Sequence, residues 1–193
     1  MSKSDPAGPN KERSKAIRWV LIIFFVTILV SGTISLASEE IMTHSGIAVA
    51  FLILFAIILL GIVFDVVGVA VTSADEKPFH SMAARKVPGA LEAIQLLRNA
   101  DKVGSICNDV VGDICGVVSG SASATIAAQI LQNFDFSWPR VVSLIMSALV
   151  AGLTVAGKAI GKNIAIGSCT TIVHGVGLII YRLHHLSDLF RKK

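Results

Sequence analysis

The sequence predicts an all-α membrane protein with four transmembrane helices, a cytoplasmic helical hairpin and an amphipathic C-terminal helix. Of its 193 residues, 53% are hydrophobic and 16% are charged, and the mean hydropathy is +0.74. Soluble domains are about 45–50% apolar and about 25% charged. The charged residues are also grouped, which leaves long apolar segments between them. Lysines and arginines are concentrated in every second connection between these apolar segments. This is the pattern expected when successive connections lie on opposite sides of a membrane.

The first predicted span runs from Trp19 to Ala37, after a basic N-terminal tail of residues 1–16. Its apolar part is long enough to cross a bilayer, which takes about 20 residues. A cleavable signal peptide is the alternative, but its apolar region would be shorter, and "SLASEE" is a mediocre cleavage site. We therefore predict a retained transmembrane helix over 17–37.

Three further apolar segments predict the other spans, at Ile47–Thr72, Val103–Leu131 and Val141–Ile160. Between the second and third spans, residues 74–102 predict two short helices, broken at Val87–Gly89. We predict that this hairpin lies against the inner membrane surface, and a soluble helical loop is the alternative.

The C-terminal segment 166–193 predicts an amphipathic helix over Ile172–Phe190. Apolar residues alternate there with Arg182, His184 and His185. Neighbouring residues point about 100° apart on a helix. We therefore interpret the two histidines as interfacial side chains and not as metal ligands.

Positive charge predicts the orientation of the chain. The loops 38–46 and 132–140 contain one basic residue, Arg140, whereas the N-terminal tail, the 74–102 connection and the C-terminal region hold many. By the positive-inside rule both termini are cytoplasmic, and we predict a multi-pass protein of the cell membrane. The net charge of +4 does not indicate nucleic-acid binding, because the basic residues flank apolar segments and form no single face.

Acidic residues inside the predicted spans are the main functional signal. Asp109 and Asp113 share one face of the third span with Gly112, Gly116 and Gly120, at helical spacing. Small residues at this spacing allow a second helix to approach closely. A carboxylate at the bilayer centre costs about 2.5 kcal/mol or more. We therefore predict that this face points toward another helix or an internal cavity.

Two interpretations of the acids stay open. In the first, oxygen-bearing side chains line a pocket for a hard cation such as Mg²⁺. In the second, an acid pairs with Lys158, late in the fourth span, and stabilises helix packing. The predicted spans contain more acids than well-placed lysines, and this excess of negative charge favours the interpretation with a bound cation. The candidate ligands are Asp65, Asn108, Asp109 and Asp113, with Ser105 and Ser119 as further candidates.

Other site chemistries have little support in the sequence. The cysteines Cys107, Cys115 and Cys169 lie in or beside apolar segments, so we predict reduced thiols. No nucleophile–base pair, HExxH motif or phosphate-binding loop is present, so we predict that the protein is not an enzyme.

The order of several short motifs resembles the transmembrane domain of the cyclin M and CorC magnesium-transporter family. The resemblance covers about residues 48–165, within a predicted transporter-like domain at 47–165, and the helix at 17–37 is additional to it. The motifs are "GVAVTS" at Gly68–Ser73, "LLRNADKV" at Leu96–Val103, "CNDVVGD" at Cys107–Asp113 and "GKAIGK" at Gly157–Lys162.

The resemblance implies transport or homeostasis of a divalent cation, with Mg²⁺ as the transported or bound ion, and a homodimer in the bilayer. It places Asp65 where the family has a serine ligand. Asn108 and Asp109 stand where the family has paired asparagines.

Two departures from the family support an alternative function. Lys158 stands where the family has an intramembrane glutamate, and its ammonium group would repel Mg²⁺ or take its place. The family continues into a nucleotide-binding CBS pair, and we expect this chain, which ends at Lys193, to lack it. The alternative is a non-transporting structural or regulatory membrane protein in which Lys158 replaces the bound cation.

Overall fold

A computed structural model describes the backbone of residues 9–133 and 138–191 and the side chains of residues 17–133 and 138–185. The regular structure of these ranges is helical. The helices are α1 (Pro9–His44), α2 (Ile47–Ser73), α3 (Lys77–Ala84), α4 (Ala90–Arg98), α5 (Ala100–Ser105), a π-helical segment (Ile106–Gly112), α6 (Asp113–Asn133), α7 (Pro139–Gly167) and α8 (Cys169–Arg191).

The prediction of an all-α chain with four long apolar helices is confirmed for the described residues. The helices long and apolar enough to cross a membrane are Ile17–His44, Ile47–Ser73, Ala100–Asn133 and Pro139–Gly167. Of the predicted N-terminal tail, residues 1–8 lie outside the described residues, and α1 already begins at Pro9.

Helix α1 continues past the predicted end at Ala37 to His44. The added turns are largely polar, and the Thr43 hydroxyl donates within the helix to the carbonyls of Glu39 and Glu40, at 3.0 Å each. The Met42 carbonyl accepts a hydrogen bond from the Gln129 Nε2 of α6 at 2.6 Å. Met42, in the same turns, is fully buried against α2 and α6. Tertiary packing therefore extends the helix beyond its apolar segment.

Helix α2 lies at the centre and contacts α1, α4, α5, the π-helical segment, α6, α7 and α8. Its first half packs in one apolar cluster with α1, α6 and the beginning of α7, through Leu54, Ile58, Ile126 and Val150. Its last turns pack in a second cluster with α3, α4, α8 and the end of α7. The two clusters mark opposite ends of the bundle, and the interior acid Asp65 lies between them.

The break in the 74–102 connection is confirmed. Helix α3 ends at Ala84, Lys86 and Gly89 have φ of 56° and 83°, and α4 begins at Ala90. Positive φ is accessible to glycine at little cost, which explains Gly89 at this turn. Helices α3 and α4 pack around the fully buried Phe79.

Helix α8 docks on this hairpin, which the sequence did not predict. Its Val173 is fully buried, and the His174 ring Nε2 donates to the Pro88 carbonyl at 3.1 Å. At the crossing, Gly177 lies against the backbone of Gly89 and Ala93. The C-terminal helix therefore forms one packed unit with the hairpin and the end of α2.

Replacing Gly177 with Ala should undock α8. A Cβ there would lie 3.0 Å from the Ala93 backbone nitrogen and would meet the Gly89 carbonyl, and neither backbone can move freely. We expect a loss of about 1–3 kcal/mol in the free energy of unfolding, read as a lower thermal midpoint in detergent micelles.

The matched control is Gly175→Ala on the same helix, where a Cβ would meet nothing within 4 Å. It should be neutral, or stabilise by up to about 1 kcal/mol through helix propensity. Equal midpoints for the two variants would show that α8 does not pack at Gly177 as described.

Candidate functional site

An ion pair joins α2 to α7 in the middle of the bundle. The Lys158 Nζ lies 3.6 Å from the Asp65 Oδ1. The two side chains are 29% and 18% exposed, respectively, so both are largely withdrawn from the surface. Of the three acids predicted in the spans, Asp65 is thus the one paired with the lysine of the fourth span.

Glycines explain why these two side chains meet. Gly157 and Gly161 flank Lys158 on α7 and pack against Ile62 and Val66 of α2, on either side of Asp65 in the sequence. A Cβ on Gly161 would lie 2.6 Å from the Val66 Cγ2, so a larger residue there would push the helices apart. The bare glycine surface allows α7 to bring its lysine to the carboxylate.

The π-helical segment provides the third wall of this site. A Cβ on Gly112 would lie 3.3 Å from the Lys158 Nζ and 4.0 Å from the Asp65 Oδ1, so the ion pair rests against bare backbone. π-helical turns are rare and often occur at functional sites. The segment coincides with "CNDVVG" of the predicted motif, which was expected to be an ordinary α-helix.

Asn108, within the π-helical segment, lies directly against Gly68 of α2. Its side-chain Oδ1 is buried and has no hydrogen-bond partner among the described residues. Buried polar atoms are rarely left without a partner, because the loss of water costs about 1–3 kcal/mol. This oxygen therefore has unused hydrogen-bonding or coordinating capacity where the π-helical segment meets Gly68.

The other predicted ligands lie apart from the ion pair. Asp109 is exposed on the described chain and accepts a hydrogen bond from the Ser105 hydroxyl at 2.9 Å. Asp113 is also exposed. Ser119 is buried, and its hydroxyl donates to the carbonyl of Gly116 at 3.0 Å.

The residues that were predicted to share one face of the third span therefore lie on two different sides of it. Gly112 faces the ion pair, whereas Asp109, Asp113, Gly116 and Gly120 lie on the exposed side of the described chain. The expectation that the two carboxylates point into the bundle is not met within one chain. Among the described residues, no three or more His, Cys, Asp or Glu side chains are grouped closely enough to hold a metal ion.

The sequence indicated both Asp65 and Lys158 as candidate site residues, but it did not indicate which acid pairs with the lysine. A usable signal was present, because Lys158 lies between Gly157 and Gly161, and Asp65 lies between Gly61 and Gly68. Acid and base each stand beside small residues that permit close helix contact. The π-helical distortion has no comparable signal in the sequence.

Comparison of the chain with protein-family models, curated proteins and solved structures finds no match. The resemblance to the cyclin M and CorC family therefore stays a prediction that rests on the quoted motifs.

Because Asp65 and Lys158 form an ion pair, we expect their substitutions to have non-additive effects on the free energy of unfolding. Asp65→Asn alone should lower the free energy of unfolding by about 1–3 kcal/mol, because it leaves an ammonium group largely buried without its counter-charge. The double variant Asp65→Asn/Lys158→Met should lose less than the sum of the two single changes, with a coupling of about 0.5–3 kcal/mol. Equilibrium unfolding in mixed detergent micelles measures the three losses.

The control cycle uses Arg98 and Glu76, which are 3.8 Å apart with side chains 65% and 38% exposed. Exposed pairs contribute about 0–1 kcal/mol, so this coupling should be smaller. Strict additivity of the changes at Asp65 and Lys158 would contradict an interaction between them.

Proposed function

We propose that the chain is a multi-pass protein of the cell membrane in which the Lys158 ammonium takes the place of a bound cation. In this proposal the protein is a structural or regulatory component and does not transport ions. The observation that supports it is the 3.6 Å contact between the Lys158 Nζ and the Asp65 Oδ1.

Electrostatics argues against a divalent cation beside this pair. A divalent cation about 4 Å from an ammonium group is repelled by roughly 8 kcal/mol at an effective dielectric constant of about 20. The carboxylate of Asp65 attracts the Lys158 ammonium and a divalent cation alike. The ammonium is held beside it by α7, whereas a divalent cation would first have to give up part of its hydration shell. A bound Mg²⁺ would require the lysine to turn away.

The proposed orientation has both termini in the cytoplasm, together with the hairpin α3–α4 and helix α8. The apolar cluster that joins α2, α3, α4 and α8 belongs to one end of the bundle. That end also carries Arg85, Lys86, Arg98 and Arg182, which the positive-inside rule assigns to the cytoplasm.

Replacing Lys158 with Glu tests the proposal. The parent protein, in nanodiscs of zwitterionic lipid, should show no Mg²⁺ binding by calorimetry. Lys158→Glu puts a second carboxylate beside Asp65 and should create a Mg²⁺ site, since carboxylate oxygens are preferred ligands. Lys158→Met removes the repulsion without adding a ligand and should bind Mg²⁺ more weakly than Lys158→Glu.

The control is Lys162→Glu, which makes the same charge change at an exposed position four residues further along α7. It should leave Mg²⁺ binding at the level of the parent. Saturable binding of Mg²⁺ to the parent, unchanged in Lys158→Glu, would contradict the proposal.

Divalent-cation transport is the second candidate function, and the buried Asn108 Oδ1 without a partner favours it. In that case Asn108 and the exposed carboxylates of Asp109 and Asp113 would belong to an ion path that needs the lysine to move. The homodimer stays part of this candidate, since a second copy could cover the exposed face of the third span.

Mg²⁺ flux into proteoliposomes separates the two functions. The leading proposal predicts that the parent gives no more flux than liposomes without protein. Flux through the parent that is lost in both Asp109→Asn and Asp113→Asn would instead establish the transport candidate.

A further inference from the structure

Helix α8 carries an apolar stripe on a side that does not pack on the hairpin. The members of this stripe recur at steps of four, three and four residues, so they share one side of the helix. They are Ile172, Val176, Ile179 and Leu183. Gly177, which meets the backbone of the hairpin, lies on a different side. Helix α8 therefore has one side for the hairpin and a second apolar side.

The stripe begins against two candidate membrane spans and extends beyond them. Helix α8 begins at Cys169, directly after α7 ends at Gly167. Ile172 packs in the apolar cluster that holds the ends of α2 and α7. Ile179 and Leu183, about two and three turns further along, are 60% and 63% exposed. The side of α8 that faces the spans at its beginning is thus the side that stays uncovered beyond them.

Positive charge accompanies the stripe. From Lys162, near the end of α7, to His185 the sequence contains no aspartate or glutamate. Arg182 is exposed beside Leu183, and within residues 17–133 and 138–185 it pairs with no acid. An apolar helix side next to unpaired basic groups fits the interface of an anionic membrane, which accepts both.

We propose that α8 lies in the headgroup region of the membrane that the four apolar helices cross, and that its stripe binds anionic phospholipid. Ile179 and Leu183 reach the acyl chains, and the Arg182 guanidinium binds lipid phosphate, an acceptor that it can engage with two hydrogen bonds. Since Gly177 holds the hairpin on another side of α8, bound lipid also keeps the hairpin at the membrane surface. The inference rests on the membrane location in the proposed function, but it is independent of the role of Lys158.

The fluorescence of single tryptophans in the full chain tests the position of the stripe. The two native tryptophans, Trp19 and Trp138, are first replaced with Phe. Leu183→Trp is then compared with His185→Trp, which lies on the opposite side of α8, because two residues turn a helix by about 200°. In vesicles of phosphatidylcholine and phosphatidylglycerol with brominated acyl chains, Leu183→Trp should emit at shorter wavelength and be quenched by the bromine. His185→Trp should instead be quenched by acrylamide from the water.

Leu52→Trp on α2 is the positive control, because Leu52 is 71% exposed within a candidate span. A lack of quenching by bromine there would contradict the membrane location and with it the proposed function. Quenching of Leu52→Trp but not of Leu183→Trp would overturn only the present inference. Quenching of Leu183→Trp by acrylamide would then place the stripe in water, and protection from both quenchers would place it against a protein surface.

The class of lipid is tested with bromine on one lipid at a time. At equal mole fraction, brominated phosphatidylglycerol should quench Leu183→Trp more than brominated phosphatidylcholine does. Arg182→Gln should lower this preference by up to about fivefold, the effect of one charge near an anionic surface. The matched control is Arg140→Gln at the other end of α7, which should leave the preference unchanged. Equal quenching by the two lipids, or an unchanged preference in Arg182→Gln, would overturn the assignment of anionic lipid.

Discussion

Helix α2 packs closely against α6 and α7 because glycines stand where the helices cross. Gly157 and Gly161 of α7 lie against Ile62 and Val66, and a Cβ on Gly61 would lie 2.9 Å from the Cβ of Cys115. In a lipid environment the hydrophobic effect does not drive helices together, so such close van der Waals contact has to hold them. The short separation also leaves a charged side chain on either helix within reach of the other.

The Asp65–Lys158 pair depends on that separation and limits what the site can do. A lone carboxylate or a lone ammonium in this position would lose hydration without compensation, whereas the pair with its glycine surroundings compensates both. The same arrangement makes the site less suitable for a metal ion, since the best acid ligand already faces a tethered cation. Under the proposed function, close packing and low cation affinity are two consequences of the same contacts.

Composition and hydropathy predicted the four apolar helices because helix length and polarity are properties of the local sequence. The break at Gly89 was also predictable, because the turn needs a positive φ that glycine adopts readily. The exposed position of Asp109 and Asp113 was not predictable, because helical spacing indicates which side chains share a face but not which neighbour that face meets. Docking of α8 was missed because Gly177 acts through contact with Gly89, a residue far away in the sequence.

Helix α1 lies along α6, but most of its apolar surface stays uncovered within the described chain. None of its most apolar window is buried within the described chain, so lipid or another protein surface must cover most of it. The buried Met42 and the bond from Gln129 to its carbonyl fix the end of the helix on α2 and α6. The last turns of α1 are therefore the part of this helix that packing within the chain holds most closely.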